Sequence, residues 1–190
     1  MAVPLFKQAH DNIARYLSAG DRVVDATMGN GFDTLFLAER IGKSGKVYAF
    51  DLQAAALVTT EGRLKEKGLL NRVRLIRDSH DCLSTYLEDE RVSTIRCAMF
   101  NLGYLPGSDK TFQTDPELTI KALNAVITHL QQPGIISVLA YTGHAGGREE
   151  AEAVKAWAAT LSQTAYRVTI EIPDVVKNSP PELILIETIQ

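Results

Sequence analysis

Apolar and polar positions along this chain follow two periods in turn. Leu5, Ala9, Ile13 and Tyr16-Leu17 recur at helical spacing, so residues 4–18 read as a first helix that Gly20 ends. Short apolar runs then alternate with amphipathic ones. Strands are expected at 22–27, 46–51, 73–77, 95–100 and 135–141, with helices at about 32–41, 53–67, 80–87 and 116–130 between them. Gly42 and Gly68 close two of these helices, and Pro133-Gly134 is expected to break the fourth before strand five. That strand, Ile135 to Tyr141, is apolar throughout, as a strand buried on both faces should be. A helix from 148 to about 162 follows, then strand-like runs at 166–172 and 183–189 with no helix between them.

The alternation calls for an α/β fold with a doubly wound, mostly parallel sheet. The closing pair of strands adds one antiparallel strand at or near an edge, giving seven strands. With no repeat, low-complexity tract or linker, residues 1–190 read as a single domain.

One junction carries the chemistry. The first strand ends Val23-Val24-Asp25, a tight turn Ala26-Thr27-Met28-Gly29-Asn30-Gly31 follows, and a helix opens near Phe32. Two glycines one residue apart let backbone pass close to a ligand, because no Cβ intervenes. A turn between strand and helix is where α/β sheets hold nucleosides. The second strand ends in Asp51, which is placed to accept hydrogen bonds from a ribose diol. Other readings of the same residues stay open: Asp25 as a cap on the turn, Asp51 as an N-cap for the 53–67 helix. A dinucleotide fingerprint would need a third glycine where Thr34 stands, and no Gly-Lys-Ser/Thr sequence marks a P-loop.

Composition narrows the partners. The net charge of −3 is unlike that of a protein that grips a long nucleic acid through its phosphates. An RNA partner would be held by a small local patch, with Arg63, Lys65, Lys67, Arg72, Arg74, Arg77 and Lys110 as candidates. No run of apolar residues is long enough to span a bilayer, and the first residues lack the apolar core of a signal peptide. Cys82 and Cys97 have no metal-ligand spacing and are expected as reduced thiols. The expectation is a cytoplasmic protein with no metal and no membrane partner, with an apolar sheet edge that leaves room for a homodimer.

Asp25-x-x-x-Gly29-x-Gly31, with Asp51 closing the next strand, resembles the cofactor site of class I S-adenosylmethionine (SAM) methyltransferases. Thr27 stands where that family commonly has a further glycine. The resemblance implies a Rossmann-like fold and SAM as cofactor. It places Asp25, Thr27, Gly29, Asn30, Gly31 and Asp33 around the methionine end, Asp51 and Gln53 near the ribose, and Ser79 and His80 near the adenine.

Strand four runs into Asn101-Leu102-Gly103-Tyr104. Methyltransferases acting on exocyclic amines commonly carry Asn/Asp-Pro-Pro-Tyr/Phe there. Asn101 can accept an amine proton and aim the nitrogen lone pair, while Tyr104 can stack on a base. Tyr141 and His144, in Tyr141-Thr142-Gly143-His144-Ala145-Gly146-Gly147, are expected at the other lip. His144 is a candidate proton acceptor, and the acids Glu149 and Glu150 are expected to favour the helix start.

Taken with Leu105-Pro106-Gly107, Asp109-Lys110 and Asn178-Ser179-Pro180-Pro181, these motifs are similar to those of one bacterial family. Long labelled as rRNA methylases, its members are now understood as tRNA (5-aminomethyl-2-thiouridine) methyltransferases. They often carry His where this chain has Phe32. The resemblance implies methyl transfer from SAM to the aminomethyl nitrogen of a modified wobble uridine, with the tRNA anticodon loop as partner. Methylation of rRNA or of a small amine, and non-catalytic binding of a nucleoside or RNA, are the readings left beside it.

Overall fold

The computed structural model describes residues 3–103, 113–173 and 179–189. Seven strands form one sheet: β1 (Arg22–Asp25), β2 (Lys46–Phe50), β3 (Val73–Ile76), β4 (Ile95–Leu102), β5 (Leu130–Ala140), β6 (Tyr166–Glu171) and β7 (Glu182–Thr188). Their order is β3-β2-β1-β4-β5-β7-β6. β7 runs antiparallel to both neighbours, with Ile136 opposite Ile186 on one side and Ile170 opposite Ile184 on the other. The expected antiparallel strand therefore lies one place in from the edge.

Alternate residues of the strands other than β6 feed two apolar layers. Val24, Ala98, Ile136 and Ile184 pack toward α4 (Leu83–Asp89), α5 (Pro116–His129) and α6 (Gly147–Ala159). Val23, Cys97, Ile135 and Leu185 pack toward α1 (Leu5–Ala14), α2 (Phe32–Arg40) and α3 (Ala54–Glu66). β1 and β4 adjoin in the sheet although β2 and β3 follow β1 in the chain, and this reversal opens a crevice at the carboxyl ends of the strands.

The expected elements form, with three differences. The first helix stops at Ala14, and a 3-10 turn, His80–Cys82, precedes α4. The third concerns Pro133-Gly134, which does not separate α5 from β5. The strand begins at Leu130 and runs through both residues. The pairing of β4 with β5 shifts register between Ile95 and Cys97, and this irregularity absorbs the proline. The start of α5 is firmly set, since Asp115 accepts hydrogen bonds from the backbone N–H groups of Glu117 and Leu118 and Pro116 occupies the first turn. Among the described residues no helix is long and apolar enough to cross a membrane.

Candidate functional site

A cleft of about 1020 Å³ lies over the carboxyl ends of β1, β2, β3, β4 and β5. Its size suits a nucleoside cofactor with room for part of a second molecule. The floor is the turn after β1. Gly29 and Gly31 both adopt positive φ (+50° and +77°), which L side chains rarely do. A Cβ on Gly31 would also come within 2.6 Å of Thr60 Oγ1. The Thr60 side chain of α3 thus packs directly on the backbone at this glycine, and Thr60 Oγ1 donates to the Gly29 carbonyl at 3.1 Å.

Asp51, at the tip of β2, fastens the same turn from the other side. Its carboxylate accepts the N–H of Gly29 at 3.0 Å and that of Gln53 at 2.8 Å. It therefore steadies the entry to α3 while facing the cleft, but the N-cap of α3 is Gln53 and not Asp51. Burial raises its pKa above the usual carboxylate range.

Asp25 sits differently from its sequence reading. It is fully buried and does not line the cleft. One oxygen accepts from the Thr27 N–H at 3.2 Å and the other from the Thr34 hydroxyl at 2.6 Å. The side chain braces the turn from beneath, as its turn-capping reading has it. Burial, then the charge of Asp33, push its pKa well up. Gly31 is likewise part of the floor and not of the lining.

The remaining expected residues in the described region do line the cleft: Thr27, Gly29, Asn30, Asp33, Asp51, Gln53, Ser79, His80, Asn101, Tyr141 and His144. Tyr104 lies outside the described residues, as do Lys110 and Asn178. Thr27, standing where a glycine was expected, has a use of its own, because its Oγ1 accepts the backbone N–H of Asn101 at 2.7 Å. Asn101 donates its side-chain N–H to Asp33. A carboxylate only accepts, so the amide nitrogen must be the atom on Asp33, which leaves Asn101 Oδ1 for a different partner.

His80 is nearly buried, with its ring edge toward Phe100 at 5.9 Å. Burial holds its pKa below the ordinary imidazole range. At the opposite lip, His144 Nδ1 lies 2.9 Å from the Ala145 carbonyl, so this nitrogen carries the proton. The ring packs against two glycines: a Cβ would meet Nε2 at 3.2 Å from Gly103 and at 2.7 Å from Gly147. These glycines make room for the imidazole. Tyr141 is raised above the usual phenol range by burial, then by Asp33, and stays neutral.

Glu150 was expected to favour the start of α6 by its charge. It does lie in the first turn of α6, with Glu149, but is buried there, and accepts the hydroxyls of Thr114 at 2.6 Å and Thr119 at 2.7 Å. Thr114 in turn accepts the Gly103 N–H at 2.9 Å. Glu150 thereby ties α6 to the end of β4.

Sequence reasoning missed part of the lining. His10 and Phe6 come from α1, while Phe32, Leu52 and Leu118 add exposed apolar surface. An exposed Leu52 directly after Asp51 gives the cleft apolar surface beside that carboxylate. The basic candidates are largely engaged: Lys65 with Glu61, Arg74 with Glu90, Arg72 with the Ala38 carbonyl and Arg77 with that of Leu52. Arg63 holds the Asn30 carbonyl at 2.9 Å and covers the Phe32 ring at 3.9 Å. Among the described candidates, Arg63 and Arg77 are held by residues that line the cleft, Asn30 and Leu52. Among the described residues no group of three His, Cys, Asp or Glu side chains is arranged to hold a metal ion.

Comparison with known proteins agrees with this geometry. A crystal structure described as a "putative rRNA-methylase" from Clostridium thermocellum matches over the whole of both chains, at 39% identity and a TM-score of 0.94. A "putative methyltransferase" from Streptococcus mutans, in complex with SAH, matches over the whole of both chains at 34% identity and 0.89. A chloroplastic tRNA (mnm(5)s(2)U34)-methyltransferase of Arabidopsis thaliana is 37% identical over 164 residues, 80% of this chain. The chain spans 58% of that relative's length. The fold is the Rossmann-like fold of class I SAM methyltransferases. Residues 47–187 match the family described as "Putative rRNA methylase", and the chain belongs to that family.

Proposed function

We propose that this protein is a SAM-dependent N-methyltransferase acting on the aminomethyl group of a modified wobble uridine in tRNA. The observation that carries the reading is the Asn101 amide at the tip of β4, its nitrogen held by Asp33 and its oxygen left for a substrate beside the cleft. The name of the Arabidopsis relative and the SAH bound by the Streptococcus relative support the substrate and the cofactor. We place the reaction in the cytoplasm, at the anticodon loop.

The cleft suits such a cofactor. Asp51 would hold the ribose, Leu52 and Ser79 would border the adenine, and the Gly29–Gly31 turn would pass under the methionine part. When bound, the sulfonium supplies an electrophilic methyl group. Asn101 Oδ1 accepts one proton of the neutral amine, and the lone pair is then aimed away from the amide. As the N–C bond forms and the methyl–sulfur bond breaks to leave a neutral thioether, the nitrogen takes on positive charge, and it afterwards sheds one proton to water. Tyr141, a neutral phenol, borders this position as a hydrogen-bond partner and not as a base. An amine that enters deprotonated needs no strong base.

The test is incubation of the purified protein with methyl-labelled SAM and bulk tRNA from cells lacking the gene, followed by nucleoside analysis. Label in a 5-methylaminomethyluridine, thiolated or not, is the expected result. Label in another nucleoside, or only in rRNA offered alongside, would reject the substrate.

A further inference from the structure

α1 precedes the nucleoside-binding core in the chain, yet two of its side chains, Phe6 and His10, reach the cleft. His10 Nε2 lies 2.5 Å from Asp33 Oδ1, while Asp33 Oδ2 receives the Asn101 side-chain N–H. We propose that His10 is a positioning residue for the acceptor amine: it holds the Asp33 carboxylate, and Asp33 holds the Asn101 amide so that Oδ1 faces the amine. The proposal rests on the acceptor reading of Asn101 given above.

Three observations carry it. First, the imidazole has little freedom. It stacks on Phe36 with centroids 3.8 Å apart and planes 12° apart, and its edge meets Phe6 at 6.4 Å. Phe36 is itself covered by the Arg40 guanidinium at 3.9 Å. Second, both members of the pair are largely shielded, His10 at 22% and Asp33 at 14% side-chain exposure, so water competes poorly for the bond. Third, Asp33 has a partner on each oxygen, and the two partners come from α1 and β4.

An amide has two nearly equivalent orientations, and only one offers an acceptor to an amine. Asp33 selects that one. Without His10, Asp33 is free to turn toward other donors and Asn101 is free to flip. A flipped Asn101 would offer N–H groups to an amine that needs its protons taken, and its lone pair would be engaged elsewhere. The consequence falls on the transfer step and not on assembly of the complex.

The alternative is that His10 and Asp33 merely pin α1 to α2. Two variants separate the roles. His10→Leu keeps the apolar contact with Phe36 and loses the N–H. His10→Gln keeps an N–H at about the Nε2 position. The protein is assayed with methyl-labelled SAM and bulk tRNA from cells lacking the gene, and cofactor affinity is measured by calorimetry with SAH. For His10→Leu, kcat should fall roughly 10- to 100-fold, as misplacement of a reacting group does. KM for tRNA and Kd for SAH should stay within about threefold, and His10→Gln should recover kcat to within about threefold of the parent.

A His10→Leu protein with parental kcat and a lower melting temperature would show pinning alone and overturn the proposal, as would a His10→Gln protein as slow as His10→Leu. If the leucine variant does not fold, His10→Asn, too short to reach Asp33, replaces it with the same expected losses. No transfer by the parent protein would remove the acceptor reading, and the role of His10 with it. Normal parental turnover with an unaffected His10→Leu removes only the role of His10.

Discussion

The backbone N–H of Asn101 donates to the hydroxyl of Thr27 at 2.7 Å, which joins the tip of β4 to the turn after β1. This bond adds to those from the Ala26 N–H to the Met99 carbonyl and from the Asn101 amide to Asp33 in coupling the proposed acceptor and cofactor sides of the cleft. Thr27→Val keeps the shape and removes the acceptor. The unsatisfied N–H should lower stability by about 1–3 kcal/mol, read as a lower midpoint in urea. Because Asn101 also shifts, kcat for tRNA methylation should fall more than SAH affinity does. Parental kcat in a Thr27→Val protein would separate the two sides of the site.

The signs of the carboxylate shifts predict a pH dependence of stability. Burial raises the pKa of Asp25, Asp51 and Glu150 in the folded state. A carboxyl group with a raised folded-state pKa binds its proton more tightly folded than unfolded. Such a group favours the folded state most below its unfolded pKa, and this is lost as pH rises through the folded value. For Asp25 that value is pushed up to about 7, so the loss should run from about pH 4 to about pH 7. Asp25→Asn can keep an acceptor for the Thr27 N–H and removes the titration. Its melting temperature should change less with pH than the parent's over that window, and should exceed the parent's at pH 8. Parallel curves for the two proteins would mean that Asp25 ionises as an ordinary carboxylate.

Gly31 permits a more local test. Its φ of +77° and the 2.6 Å approach of Thr60 Oγ1 to a Cβ act against any side chain. The left-handed conformation alone costs a non-glycine residue about 1–2 kcal/mol, and the contact adds to that. Gly31→Ala should lower stability by about 2 kcal/mol or more and weaken SAH binding, because the floor of the cleft has to move. Adding Thr60→Ala should recover part of the loss and leave the backbone part. Full recovery would place the whole cost in the contact.

How far the sequence exposes this site depends on whether a side chain acts near its neighbours in the chain. The strand-turn-helix at 22–41, the seven strands and the cleft residues at strand tips were legible, because period and turn chemistry are local. Asp25 was legible as important but not as buried, since its partner Thr34 lies beyond the turn. Glu150 read as a helix-start charge, because nothing local reveals that Thr114 and Thr119 meet it from α5 and the segment before it. His10 gave no motif at all. Its one signal is its place beside the buried Ala9 and four residues after Phe6, at the margin of the apolar face of α1. Pro133 misled for the opposite reason. Local punctuation marked a break that the irregular pairing of β4 with β5 removes.

With tRNA as the proposed substrate, the rim of the cleft predicts how it is held. Phe32 is 61% exposed and lies under the Arg63 guanidinium at 3.9 Å. The net charge of −3 leaves little overall attraction for phosphates, and most of the basic candidates already have partners. A flat ring backed by a cation suits a base better than a phosphate, because every base has a π-face. Stacking of this kind is worth about 1–3 kcal/mol per base, so Phe32→Ala should raise KM for tRNA roughly 5- to 150-fold. Arg63 keeps its bond to the Asn30 carbonyl in this variant, so the turn and SAH affinity should change little. The loss should also vary little between low and moderate salt, unlike the loss of a phosphate contact. A Phe32→Ala protein that loses SAH and tRNA affinity to the same degree would put the ring on the cofactor's side of the cleft.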